Sequence, residues 1–451
     1  NLPVSTSFSP SWTRWERTSG TAFASISHQI NDDWTLKANL DHTTGKTHSL
    51  ITYGYGATPS DAPFIDKATG SGVTLYAHPR EARETRNSLD VYLAGKLHLG
   101  GREHDLTVGV SSTRTTSKSD AFASTSNWRH DIANVHTWDG TAPKPAVSKT
   151  GARNDTLVQQ TGLYASARWR LTEPLSLLTG ARVTRWTSKQ KNYDTRGALT
   201  GVSARQEVKH KVSPYLGVVY DITPSLAAYA SHTRIFNPQN YRDVNNVPLK
   251  PAVGSNSEVG LKMALAHELD LNLAIFETKQ DNFAVVNADA APNSLPDGST
   301  PYRTVDGTKG KGFDVELIGK VQPDWNLKAA LTRAKVTRQE SDKLWANFPT
   351  WQLQLGSDYR FSGELRPLQL GGFLTWQSKL EAYNVPSPSG RVYVTERSKP
   401  LLDLYASWDF TEAYRLTLAV TNALDKKYWA NLDYANYGQP RFFSATFRMA
   451  F

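Results

Sequence analysis

Tyr414-Arg415-Leu416-Thr417-Leu418-Ala419-Val420-Thr421 and, at the chain end, Phe442-Phe443-Ser444-Ala445-Thr446-Phe447-Arg448-Met449-Ala450-Phe451 decide the fold class. In the second run Phe443, Ala445, Phe447, Met449 and Phe451 share one parity, and Phe442, Ser444, Thr446, Arg448 and Ala450 share the other. Side chains alternate across a strand, so this is a strand with one bulky apolar face and one mixed face. A soluble edge strand does not usually leave such a face bare at a chain end. A strand with hydrocarbon on one side and a wet lumen on the other reads this way. The alternative is a soluble β-sandwich.

Working outward, the same alternation recurs. Leu163, Ala165, Ala167, Trp169 and Leu171 oppose Tyr164, Ser166, Arg168 and Arg170. Val259, Leu261, Met263 and Leu265 oppose Glu258, Gly260, Lys262 and Ala264, and Leu402, Leu404, Ala406, Trp408 and Phe410 oppose Asp403, Tyr405, Ser407 and Asp409. Short turns repeat one chemistry, a pair or trio of turn formers followed by a large residue: Asn31-Asp32-Asp33-Trp34, Thr172-Glu173-Pro174-Leu175, Thr411-Glu412-Ala413-Tyr414. Gly100-Gly101 fills another. Long connections rich in Gly, Pro, Ser, Asn and Asp separate these units, at about 54–82, 118–154, 187–206, 236–253, 281–305, 336–346, 383–398 and 427–440. Short turns on one side and long loops on the other are the asymmetry of an antiparallel transmembrane β-barrel, all-β throughout. The pattern predicts about seventeen strands, from 20–30 and 34–54 to 414–426 and 438–451.

Composition agrees and excludes. No stretch approaches the ~20 apolar residues of a membrane helix. The chain has no cysteine, which removes disulfides and thiolate chemistry. Thirteen Trp and nineteen Tyr suit aromatic girdles at the two membrane interfaces, with hairpin-stabilising pairs as the plainer explanation. The net charge of +9 is scattered, so the expected anionic partner is lipid phosphate or a small ligand and not nucleic acid. Asn1-Leu2-Pro3 carries no signal-peptide pattern. An odd strand count conflicts with the even number of a closed single-chain barrel, and seventeen is about five short of a plugged 22-stranded transporter. If the complete barrel is of that type, the expectation is one domain over 1–451, an incomplete barrel lacking about five opening strands.

Specific segments resemble a family. Tyr229-Ala230-Ser231-His232-Thr233-Arg234-Ile235-Phe236-Asn237-Pro238-Gln239, Pro251-Ala252-Val253-Gly254-Ser255-Asn256-Ser257-Glu258-Val259-Gly260-Leu261-Lys262 and Ile275-Phe276-Glu277-Thr278-Lys279-Gln280-Asp281-Asn282-Phe283-Ala284 are similar to barrel segments of TonB-dependent ferric-siderophore receptors. So are Gly310-Lys311-Gly312-Phe313-Asp314-Val315-Glu316-Leu317 and Thr421-Asn422-Ala423-Leu424-Asp425-Lys426-Lys427-Tyr428-Trp429 through Phe451. The subgroup resembled is that of hydroxamate siderophores such as pyoverdine, coprogen and alcaligin. The resemblance implies a monomeric receptor in the outer membrane of a Gram-negative bacterium, importing a ferric siderophore with energy from the TonB–ExbB–ExbD system through an N-terminal plug, which by that resemblance is missing from residues 1–451 together with the first strands. It implies lipopolysaccharide or other outer-membrane lipid as a second partner, and no cofactor, since the siderophore itself ligates the iron.

Such a chelate is held by aromatic faces and by cationic or hydroxyl donors. The candidate ligand-binding residues are those where strands meet long loops: Tyr53, Tyr55, Trp128, Trp138, Trp376, Tyr383, Arg391, Trp429, Tyr434 and Tyr437. A girdle role competes for each aromatic, and a solvated loop or a lipid phosphate for the arginine. Arg168, Arg170, Arg182, Lys262, Glu258, Asp314 and Glu316 share the inward parity and hydrate a lumen or dock a plug. No catalytic residue and no metal site is expected. Gly45-Lys46-Thr47 lacks the first glycine of a phosphate loop, and no nucleophile elbow or His-Glu-x-x-His occurs. His98, His104, His130 and His136 lack ligand spacing. A passive diffusion porin is the main alternative, and a barrel enzyme the third.

Overall fold

β-branched and aromatic residues in period two, punctuated by Gly, Asn and Thr-initiated turns, dictate strands joined to their sequence neighbours. The computed structural model describes residues 2–56, 64–123, 125, 127–265, 268–296, 298–338, 349–387, 390–432 and 436–450. Seventeen long strands among them form one antiparallel meander: β1 (Arg14–Gln29), β2 (Trp34–Tyr55), β3 (Val73–Leu99), β4 (Arg102–Phe122), β5 (Lys149–Arg170), β6 (Leu175–Tyr193), β7 (Leu199–Thr223), β8 (Leu226–Asn237), β9 (Ala252–Leu265), β10 (Leu269–Asp281), β11 (Thr308–Gln322), β12 (Trp325–Arg338), β13 (Trp351–Arg360), β14 (Leu368–Gln377), β15 (Lys399–Asp409), β16 (Tyr414–Thr421) and β17 (Phe442–Met449). Each pairs with the next in sequence. An eighteenth strand, Arg129–Ile132, pairs with the loop-side end of β3. Among the described residues β1 pairs only with β2 and β17 only with β16, and both edge strands are exposed along their whole length.

The two faces of the sheet differ as the alternation requires. Phe443, Phe447 and Met449 are 72 %, 59 % and 46 % exposed, and they stand opposite Val420, Leu416 and Tyr414. Leu163, Val259, Ile275 and Leu418 are likewise exposed on this apolar face. Phe451 lies outside the described residues. At the short-turn end the apolar face carries Trp169, Tyr220, Trp325, Tyr359, Trp408 and Tyr414, an aromatic row of the kind that sits at a membrane interface. The opposite face is polar and internally paired. Lys96 reaches Glu103 (2.9 Å) and Asp105 (2.5 Å), Arg170 lies 3.5 Å from both carboxylates, and Asp409 binds Arg360 and Arg415.

Glycines on the polar face sit directly opposite aromatic rings: Gly109 faces Tyr164, Gly180 faces Tyr215, Gly260 faces Tyr229 and Gly371 faces Tyr405. A Cβ at any of them would run into the ring. The ring covers backbone that glycine leaves bare, which pins register. Tyr229 and Tyr164 also donate their hydroxyls to Glu258 (2.5 Å) and Asp90 (3.0 Å).

Turn chemistry behaves as read. Asn31 Oδ1 accepts the Asp33 and Trp34 amides, and Thr411 Oγ1 accepts those of Ala413 and Tyr414. Gly100 and Gly101 have φ of +61° and +74°, the pair of positive angles that a tight hairpin turn needs. The loop side differs from expectation. The connections assigned to 54–82, 118–154 and 187–206 are shorter, because β3 begins at Val73, β5 at Lys149 and β6 runs to Tyr193. Apart from Val73–Ala77, which the loop core covers, these extensions are largely polar on both faces, so hydrophobic alternation fades while the backbone ladder continues. Crossing hydrocarbon takes roughly 9–11 tilted residues; β3, with 27, projects far beyond it.

Candidate functional site

The expected ligand-binding residues fall into three groups at the loop end. Tyr53 and Tyr55 lie on the polar face at the end of β2, opposite Tyr76 and Thr74. Tyr53 packs on Tyr55 (6.2 Å) and His78 (6.0 Å), and Tyr55 on Tyr76 (5.6 Å), which Arg129 covers at 5.3 Å.

Trp128 and Trp138 belong to a loop core. Val73, Leu75, Ile132 and Val135 are 0–4 % exposed there, and Leu2, Phe8, Ile65, Trp128 and Trp138 pack around them. Trp128 stacks on His130 (6.5 Å), meets Trp12 edge-on (5.6 Å) and donates Nε1 to the Pro143 carbonyl (3.0 Å). The Trp12 indole N–H goes to Ala142 and the Ser11 amide to Gly140, so the segment before β1 is tied across this loop. Both tryptophans thus serve as packing between loops.

The third group brings together what the sequence scattered. Trp429 and Tyr437 face each other in a short hairpin, Trp429–Asn431 with Asn436–Tyr437, and stack at 4.2 Å with planes 12° apart. Lys427 caps Tyr437 at 4.6 Å, and Lys399, only 8 % exposed, caps Tyr428 at 4.7 Å. Lys399 Nζ is held by Glu396 (3.2 Å) and the Trp429 carbonyl (3.4 Å). Two adjoining pockets of about 340 and 310 Å³ share Tyr428 and Trp429 as a common wall. The first is floored by Gln352, Gln354, Thr375 and Gln377 from the polar face of β13 and β14; Glu396, Arg397 and Lys427 line the second. Trp376 is in the wall of the first pocket but falls on the apolar parity of β14 with Leu370 and Leu374, opposite Leu353. Tyr383 and Arg391 belong to the hairpin Leu380–Ser387 with Gly390–Glu396, and their side chains lie outside the described ones, as does Tyr434 entirely.

A local lock holds this site. Asn422, 3 % exposed and at φ +49°, takes the Lys426 amide on Oδ1 (2.9 Å) and gives Nδ2 to the Lys426 and Gln439 carbonyls (2.9 and 3.0 Å). Asp403 accepts its backbone N–H at 2.8 Å. Gly438 donates to the Tyr428 carbonyl (2.8 Å) and lies against the Tyr428 ring, where a Cβ would collide. Of these residues the sequence singles out Trp376, Trp429 and Tyr437, and misses Lys399, Arg397, Lys427 and Tyr428. The run Lys426-Lys427-Tyr428-Trp429 after the Asn422 turn was the available signal. Amide and hydroxyl donors, cations outnumbering the single carboxylate, and the Tyr428 and Trp429 rings in the common wall suit a bulky anionic ligand. Among the described residues no three His, Asp or Glu side chains are grouped to hold a metal ion.

A family model described as TonB-dependent receptor-like β-barrel matches residues 1–423. The ferripyoverdine receptor of Pseudomonas aeruginosa is 32 % identical over 441 residues, covering 95 % of this chain and 51 % of that protein. The ferric-pyoverdine 358 receptor of Pseudomonas putida is 30 % identical over 467 residues, covering 100 % and 54 %. Among solved structures, the P. aeruginosa pyoverdine outer-membrane receptor bound to pyoverdine superposes with a TM-score of 0.88 at 29 % identity, covering 100 % of this chain and 64 % of that one. The chain spans about half the length of the curated relatives it matches.

Proposed function

The chain belongs to the TonB-dependent receptor β-barrel family, and from that premise we propose that it is the ligand-selecting wall of a receptor importing ferric siderophore of the pyoverdine type. The family is one of transport receptors, neither enzymes nor porins, and its members lie in the outer membrane of Gram-negative bacteria. The apolar face of the sheet is then the lipid face, the polar face the lumen, and the long-loop end the cell exterior. The observation that carries the substrate class is that four relatives, 28–32 % identical over 95–100 % of the chain, are all pyoverdine receptors.

The paired pockets supply a matching chemistry. Lys399, Lys427 and Arg397 attract an anionic chelate, the Trp429–Tyr437 stack offers a flat apolar surface, and the glutamines and Thr375 hydrogen-bond its oxygens. The siderophore brings all ligands of its iron, so the protein supplies none. Passage is energised by TonB–ExbB–ExbD, and the receptor works as a monomer amid outer-membrane lipid.

The test is uptake of radiolabelled iron by cells whose only siderophore receptor is the intact protein carrying this barrel. Uptake is expected from ferric pyoverdines, and not after a protonophore or loss of TonB. Trp429→Ala is expected to weaken ferric-pyoverdine binding by up to about tenfold, since an aromatic contact contributes roughly 0.5–1.5 kcal/mol beyond its area. Equal uptake of every ferric chelate, or none of any pyoverdine, would overturn the assignment.

A further inference from the structure

The two pockets meet at one ion pair. Lys399 opens β15 opposite Gln377 and lines the first pocket. Glu396 ends the hairpin strand Gly390–Glu396 and lines the second. Their side chains are 9 % and 13 % exposed, against 24–35 % for Asp409 with Arg360 and Arg415. A desolvated ammonium is best held by charge-assisted hydrogen bonds of about 2.7–2.9 Å. Those described for Lys399 Nζ are longer, 3.2 Å to Glu396 Oε1 and 3.4 Å to the Trp429 carbonyl.

The backbone around this pair is fixed, and the carboxylate has somewhere else to go. Leu380 and Leu432 are buried with Val394 and Trp429 packed on them, and Glu396 stands in register opposite Leu380. Glu396 and Lys399 are three residues apart, so rotation about the Glu396 side-chain bonds is enough to separate them. Arg397 and Lys427 line the second pocket together with Glu396, and both are exposed. Glu396 thus has cations on both sides and keeps a partner when it leaves Lys399. Lys399 has no such choice, because no other carboxylate lines the first pocket. Losing one partner of a buried pair leaves an uncompensated charge, so Glu396 departs only when another anion reaches Lys399.

We propose that Glu396 is a specificity-determining residue. It occupies Lys399 as an internal stand-in for an anionic group of the ligand, and a chelate bearing such a group displaces it toward Arg397 and Lys427. A chelate without one meets an ammonium that is already neutralised. The inference rests on the import reading and adds to it a threshold of ligand charge.

The test measures binding to the intact receptor of a ferric pyoverdine bearing a free carboxylate and of the same chelate with that group converted to its amide. Wild type is expected to prefer the carboxylate form. Glu396→Gln removes the internal competitor and is expected to bind the carboxylate form about tenfold more tightly, with no gain for the amide. The empty variant should also melt below empty wild type, because Lys399 is left unpaired, whereas the two carboxylate-form complexes should melt alike. A merely structural ion pair would lower both midpoints equally. Lys399→Met combined with Glu396→Gln removes both charges, which buried sites tolerate better than one; it is expected to lose the preference for the carboxylate form. No tightening by Glu396→Gln, an equal thermal deficit in both states, or a preference kept in full by the double variant would overturn the role of Glu396 and leave the import reading standing. Binding of no ferric pyoverdine by wild type would overturn both.

Discussion

Asn422 concentrates more structure than any other polar residue of the candidate site, since its side chain and amide together satisfy Lys426, Gln439 and Asp403. Asn422→Ala leaves buried groups without partners and puts a Cβ residue without a polar side chain at positive φ. We expect a loss of about 2–4 kcal/mol in unfolding free energy and weaker ferric-pyoverdine binding, read by denaturant titration and by ligand competition. Asp66, in the loop before β3, tests the same logic with protons. Its carboxylate accepts the backbone amides of Thr69 and Ala68, which hold its pKa below the ordinary 3.8. A depressed carboxylate stabilises its loop above the ordinary value and loses that contribution as pH falls further. Proteolytic nicking of 64–72 should therefore be constant from neutral pH down to about 4 and rise only below it; nicking that increases between pH 7 and 5 would contradict this. At this scale the sequence was only partly legible. Trp429 and Tyr437 could be picked because aromatics at strand–loop junctions announce themselves, whereas Lys399 could not. Its role depends on Glu396, Tyr428 and the Trp429 carbonyl meeting in space, and nothing in the spacing of these residues encodes that.

Strands were more legible than loops, for a reason that lies in solvent. Within the hydrocarbon span every second residue must be apolar, so the belt portions of β5, β9 and β15 stand out in the sequence. Above the belt β3 to β6 carry polar residues on both faces for much of their length, and the period-two signal is lost although pairing continues, as in Glu81 opposite Asp120 and Lys118 opposite Asp155. Amides of Arg80–Ala82, Lys118–Asp120 and Arg153–Asp155 should thus exchange as slowly as belt amides, despite lying in polar sequence; exchange on the loop timescale would show these extensions are not strands. The ring-on-glycine pairs make a second element-scale statement. Gly371→Val forces the Tyr405 ring from its place across β14 and β15 and should cost about 1–3 kcal/mol, whereas the same change at Gly201, which has open space around its Cβ position, should cost less.

At the scale of the whole molecule the sheet is defined by what touches its two faces. The lumenal face is tied by ion pairs and hydroxyl contacts, the lipid face by side chains that hydrocarbon solvates. Neighbouring residues of one strand must therefore respond oppositely to the same charge. Phe443 and Ser444 are adjacent on β17, the first on the lipid face opposite Val420 and the second on the lumenal face opposite Ala419. Counted from the short-turn end, Phe443 sits near mid-belt. Arginine there has no route to water except by distorting the bilayer, a cost of about 2–4 kcal/mol near the midplane. Arginine at Ser444 enters a hydrated lumen beside existing charge and should shift stability by less than about 1 kcal/mol. Reversible unfolding of the intact receptor in lipid vesicles, followed by tryptophan fluorescence, separates the two: Phe443→Arg far below Ser444→Arg is the outcome required, and equal shifts would mean the faces are not differently solvated. Repeating the pair in detergent micelles, which deform around a charge more readily than a bilayer, should shrink the gap, because the penalty belongs to the surrounding hydrocarbon and not to any contact Phe443 makes within the sheet.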